Sequence, residues 1–381
     1  MTVGSAEQYS SRSIQLVDAA ILASSDAGER LVLFAKKAGS LARLSCLADA
    51  RSLVKELRAA NSAYDPRLSA WIIFAEGLIQ HFDTLDNAKS KDKFYRAHLV
   101  SQMAGDRELA GASAAWMAHC ELVEGRIEEA IKHVAIAFEW SDPDYGETRG
   151  RASMVLADSL NYAGQPDLAR HWYREARNHA VHDGDIAMQN VMLFNAAVFG
   201  VANLTLKDCL DPVTESECKR TSMEVASAAN LNAALGLESL SSLVPIMTAE
   251  LLTAQHKWGQ ALALFDRNLP TFALEGQKRL QPKVLAQRAW CKANLDALDD
   301  ARSDTLEALR LIDDCRDSDD LAVLHFRIAA VGSLLNDSEM QAHHQALAAN
   351  SLHTFRQEQS KTLALLQDVI TSIAKGTKNP A

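Results

Sequence analysis

The chain has 381 residues, 48% of them hydrophobic and 23% charged, with a net charge of −10. No run of Lys or Arg exceeds a pair, as at Lys36-Lys37 and Lys219-Arg220, so the basic stripe that releases phosphate counterions is missing and nucleic acid is excluded as an expected partner. Sparse glycine (17) and proline (8) beside abundant Ala, Leu and Glu predict helix nearly throughout.

In chain order, the polar segment 1–13 lacks the charged-then-apolar order of a secretory signal. Residues 13–60 read as helices broken near Asp26-Ala27-Gly28, and 68–82 with 92–103 as a degenerate hairpin. A helix through Ala112, Ala115, Trp116 and His119 stops at Gly125, suited to a left-handed C-cap. Its partner opens on Glu128 and Glu129, acids that complement a helix N-terminus, and ends before Ser141-Asp142-Pro143-Asp144. The grammar returns at 152–163, with Gly164 as the stop and Pro166 in the next first turn, and 168–181 closes at Asp183-Gly184.

A long helix is expected over 185–207, with Ala196 in the phase of Ala157. Its apolar stretch 191–206, interrupted by Asn195, Gly200 and Asn203, is short for a bilayer span and reads as a buried helix, so no membrane partner is expected. The pattern then breaks over 208–217, an enlarged connection that is either a functional loop or bend, or a tolerated surface insertion, before a helix over 218–235. Beyond the acidic connector 313–320, helices over 321–335 and 338–373 close the array. The last carries Leu347, Leu352, Phe355, Leu363, Leu366, Ile370 and Ile373 and is long enough to cap the array, or to protrude and form a homodimer with a second copy.

One period ties these elements together. Gly125 and Gly164 stand 39 positions apart, as do Ala130 and Ala169, and Ala249 and Ala289 stand 40 apart. The pairs Ala118/Ala130, Ala157/Ala169, Ala249/Ala261 and Ala289/Ala301 share a spacing of 12. Small residues at matched places let helices of one hairpin, and of the next, approach closely, where a large side chain would pry them apart. Such hairpins cannot bury their apolar faces alone and must stack. The expected organisation is an N-terminal helical cap (1–65), a first array (66–206), an irregular connector and helix (207–240), a second array (241–336) and a long C-terminal capping helix with its tail (337–381).

The alanine pattern resembles the tetratricopeptide repeat (TPR). Ala157, Ala169, Tyr173 and Ala176 meet it fully; Ala118, Ala130 and Ala137 meet it with Val134 in place of the aromatic. Ala249, Ala261 and Phe265, and Ala289, Ala301 and Ala308, meet it in part. The period of 39 or 40 exceeds the family's usual repeat of about 34 and is similar to that of bacterial cytosolic regulators, including the sensory halves of some diguanylate cyclases and peptide-sensing regulators. The resemblance implies an all-α fold, a right-handed superhelix of antiparallel helical hairpins (a TPR-like α-solenoid), whose first helices line a concave groove that binds a peptide or partner protein. Projected onto this chain, the groove positions are His119, Arg151, Asp158, Asn161, Tyr162, Asn190, Glu250, Lys283, Trp290 and Asn294. Asn amides pair with an extended backbone, and Trp290 offers a flat anchor.

Other constellations have plainer readings beside the functional ones. Arg170, Arg174 and Arg177, with Arg149 and Arg151, form either an anionic dock or a solvated outer face. His179, His182, Asp183 and Asp185 lack a zinc spacing and fit a helix C-terminus followed by a cap. His343-His344 faces two directions on a helix, and the acidic connector lacks the glycine and distal Glu of a calcium loop. Six scattered cysteines without a Cys-x-x-Cys indicate reduced thiols and a cytoplasmic setting, with Cys209 and Cys218 the pair that oxidation would join. Gly-x-Ser-x-Gly, phosphate-loop and His-Glu-x-x-His signatures are missing. The expectation is therefore a binding module without catalysis, cofactor or metal. A ligand-switched sensor is the alternative, and an enzyme with a pocket between helices stands behind both.

Overall fold

A computed structural model describes residues 11–84, 87–142, 144–235, 242–275 and 277–376. Among these the chain is all-α, with seventeen α-helices and no strand. They are α1 (Arg12–Ala23), α2 (Ala27–Arg43), α3 (Leu47–Ala60), α4 (Pro66–Thr84), α5 (Asn87–Met103), α6 (Arg107–Val123), α7 (Ile127–Trp140), α8 (Gly146–Tyr162) and α9 (Pro166–His182). There follow α10 (Ile186–Leu210), α11 (Glu215–Leu235), α12 (Leu243–Ala254), α13 (Trp258–Leu274), α14 (Gln281–Asn294), α15 (Leu298–Arg310), α16 (Ser318–Leu334) and α17 (Ser338–Gly376).

The chain forms two compact units, one holding residues up to Met192 together with those from Lys361, the other Leu193–Ser360. The unit borders fall inside α10 and α17, whereas the expected segments were cut at helix punctuation. In the first unit, α4/α5, α6/α7 and α8/α9 are antiparallel hairpins, with α6 packed on α8; in the second, α12/α13 and α14/α15 pair likewise, with α14 packed on α16.

One turn geometry joins these helices. In the three-residue connections 44–46, 104–106, 124–126, 163–165, 183–185, 255–257, 295–297 and 335–337 the middle residue is left-handed, with φ from 56° to 76°. The next residue donates its N–H five positions back, as Arg126 to Glu121 at 2.9 Å and Ala297 to Lys292 at 3.0 Å, which satisfies carbonyls that a helix end leaves open. Glycine fills the middle place at 105, 125, 164 and 184, but Ser45, His256, Asp296 and Asn336 adopt it as well.

The repeating alanines lie where close approach requires them. Ala118, Ala130, Ala137, Ala157, Ala169 and Ala176 are buried in the first unit, and Ala249, Ala261, Ala289, Ala301 and Ala308 in the second. Val134 and Phe265, at the aromatic place, are fully enclosed. Around them pack Phe94, Leu109, Trp116 and Leu156 in one unit and Ile246, Phe272, Leu324 and Ile328 in the other.

Three expectations need correction. The buried alanine of α10 is Ala197, one residue beyond Ala196. The connection expected over 208–217 is a turn of four residues, 211–214, because α10 runs on to Leu210 and α11 begins at Glu215. For the same reason α10, at 25 residues, is long and apolar enough to cross a membrane by length and composition. It is also only partly buried: Ala197, Val201 and Leu204 are covered while Leu193 is exposed. A fourth expectation is narrowed rather than overturned: of the two readings of α17, its apolar stripe follows the capping one and packs within its own chain. Leu352 and Phe355 are buried in the second unit, and Leu366 is enclosed in the core of the first, where Leu363, Ile370 and Ile373 pack beside it. There Lys361 pairs with Glu128 of α7.

Candidate functional site

In the first unit the side chains of α4, α6 and α8 converge on Trp116. The guanidinium carbon of Arg151 lies 3.7 Å from the centre of its ring. The His119 ring lies 5.6 Å away, and His81 stands 5.4 Å from both. Arg151 is 3% exposed, and its Nε is sealed in without a partner. Burial, reinforced by Arg43, pulls this guanidinium down to about 9. The His119 imidazole is held well below its ordinary value by burial, then by Arg151 and His81, and its Nδ1 is enclosed without a partner.

Seven positions along α8, on the same helix face, Asp158 is also buried and accepts a hydrogen bond from the Tyr173 hydroxyl on α9. Asn161 Nδ2 donates to the same phenol oxygen at 3.4 Å. Burial and Asp158 hold the Tyr173 phenol well above its ordinary value. Asp158 and Asn161 therefore brace a hairpin rather than lie open to a ligand. Tyr162 is half-buried at the end of α8, and Asn190 is buried on α10.

The second unit builds its polar cluster differently. Lys283 on α14 sits 3.4 Å from Glu250 Oε1 on α12 and 2.9 Å from Asp320 Oδ1 on α16, all three buried. The two carboxylates outweigh burial and raise the lysine, while burial raises Glu250. Arg327 on α16 donates from Nε to Gln287 Oε1 at 2.8 Å, pairs with Asp208, and lies 5.9 Å from the centre of the Trp290 ring. Trp290 meets Trp258 edge-on at 5.8 Å. Asn294 donates Nδ2 to the Trp290 carbonyl at 2.8 Å, so one of its two amide hydrogens is used on its own helix.

The structure thus joins His119 to Arg151, and Glu250 to Lys283, across successive first helices. Sequence reasoning missed Gln287, Asp320, Arg327 and Asp208. Gln287 and Arg327 stand 40 positions apart, one repeat, and that spacing was the available signal. Asp208 has no such mark.

A cleft of about 770 Å³ in the second unit lies where the α10–α11 and α12–α13 turns meet, lined by Asp208, Cys209, Cys218, Lys219 and His256. Both cysteines are free thiols raised by burial. The arginines Arg170, Arg174 and Arg177 are exposed on α9, and Arg170 pairs with Asp167. No protein-family model and no curated protein matches the chain. The first helices enclose charged groups and Trp116, and leave Trp290 half-buried.

Proposed function

We propose that this chain is a non-enzymatic helical-repeat binding module that receives a peptide segment or partner protein along its first helices, as a cytoplasmic scaffold or regulator of the bacterial signalling kind. The observation that carries this reading is the burial of charge on several first helices, set against the exposed arginines of the second helix α9. The first helices α8, α12, α14 and α16 bury Arg151, Glu250, Lys283 and Arg327, whereas the second helix α9 turns Arg170, Arg174 and Arg177 outwards. Enclosing charge costs solvation that a purely structural stack has no need to lose. The TPR resemblance of the alanine pattern supports the same face as the receiving one, and a rigid stack spends little ordering entropy on binding.

Hydrogen exchange on the chain alone and with a partner captured from its native extract tests this. Protection is expected on α6, α8, α12, α14 and α16. Protection confined to second helices such as α9 and α15 contradicts it.

A second reading, a sensor switched by a small molecule, is favoured by the cleft of about 770 Å³ at the α10–α11 turn. A compound that fills it should then protect helices of the second unit beyond the two turns. Protection of the turns alone leaves the plain module.

A further inference from the structure

Among the described residues the enclosed cations each form an ion pair with a carboxylate, except one. Lys37 has Asp18 at 2.7 Å, Lys283 has Glu250 and Asp320, Arg327 has Asp208, and Arg43 has Asp185 and Glu147. Arg151, as deeply buried as any of them, has no ion pair and no hydrogen bond among the described residues. Its nearest candidates are committed elsewhere. Glu147 Oε1 accepts from Arg43 at 3.2 Å and from Trp116 Nε1 at 3.4 Å, and Asp158 accepts from Tyr173. One flat face of the guanidinium is covered by Trp116, so the unused N–H groups lie along its edge, and His119 adds an unpartnered ring nitrogen beside it.

A desolvated guanidinium without an ion pair or hydrogen bond is costly, and the ring face together with the more distant Glu147 and Asp158 offsets only part of that cost. The fork of N–H groups matches the oxygens of a carboxylate or phosphate in two parallel bonds. We propose, building on the binding role of the first helices, that Arg151 on Trp116 is the seat of an oxyanion, a carboxylate or phosphate group carried by the ligand, with His119 as a second contact. The ligand supplies the charge that the fold withholds.

The test uses the full chain, titrated with inorganic phosphate and with succinate at matched ionic strength, with thermal midpoint and heat of binding as readouts. A saturable rise with either anion supports the seat, and the responding anion names the source. Arg151→Met should melt higher than the parent without ligand and lose the anion response. Arg151→Lys, which keeps the charge and loses the fork, should bind at least tenfold more weakly. Absence of a saturable response to both anions, or a lower melting point for Arg151→Met, overturns the proposal. On the parent protein the nitrogen-15 resonance of the Arg151 Nε gives an independent readout: a saturable shift on anion addition supports the seat and an unmoved signal refutes it. Anion binding here together with a partner footprint on second helices would refute the module reading alone. A first-helix footprint without anion binding would refute this seat alone.

Discussion

Tyr173, on the second helix of its hairpin, donates its hydroxyl hydrogen to Asp158 on the first. The aromatic that marks the repeat thus also satisfies a buried carboxylate, so packing and polarity are fixed by one side chain. Tyr173→Phe should cost about 1–3 kcal/mol in urea unfolding, because the enclosed Asp158 loses this hydrogen bond. Adding Asp158→Asn should recover part of the loss. Equal stability of Tyr173→Phe and the parent would show that the contact does not hold the hairpin.

The alanines make a second claim. Ala157→Leu and Ala289→Leu place extra methylenes where the side chain is fully enclosed, and each should cost about 1–3 kcal/mol. Arg174→Leu on the exposed face of α9 should stay within about 0.5 kcal/mol. Denaturant midpoints measure both. Tolerance of leucine at the alanine places would remove the reason for the period.

At the turns, Asp296 and Asn336 hold φ of 59° and 56°, a region in which a Cβ costs roughly 1–2 kcal/mol, less for Asn and Asp. Glycine there should raise the thermal midpoint. Gly125→Ala, at φ 76° with open space around the missing Cβ, should lower it through backbone strain alone.

These positions show what was legible in the sequence. Gly125, Gly164 and Gly184 announced their turns, and the alanine spacing disclosed the stacked hairpins. His256, Asp296 and Asn336 make the same turn without glycine, so residue type concealed them. Pro212 and the polar residues around it read as a long loop. Yet Lys207–Leu210 continues the α10 helix, and Asp208 is held by Arg327, a partner 119 residues away with no local trace. The first-helix positions of Arg151, Glu250 and Lys283 were readable, but not their burial, which depends on how neighbouring hairpins stack. Nor does residue type disclose that the Asn294 amide donates to its own helix at Trp290.

Stability should also depend on pH through the buried histidines. His325 faces His344 with Nδ1 atoms 3.0 Å apart, and burial, then His344 and His343, lowers it from 6.5 to about 4. The unfolded chain therefore binds this proton first, and the histidine's share of stability, full above pH 6.5, is lost as pH falls towards 4. Asp319, raised from 3.8 to about 7 by burial and by Asp320 and Asp317, acts in the opposite sense, losing its share as pH rises. The two are separated by His325→Asn, whose stability relative to the parent should climb between pH 6.5 and 4. A flat difference across that window would contradict the assignment.

The most direct measurement compares the unfolding free energies of Arg151→Met and Lys283→Met. Lys283 neutralises two buried carboxylates, so its loss should cost about 3–5 kcal/mol. Arg151 forms no ion pair among the described residues, so its replacement by an apolar chain of similar length should raise stability. Opposite signs are the expected result. A loss of stability in both variants would show that Arg151 is a structural charge and that no anion seat is held open beside Trp116.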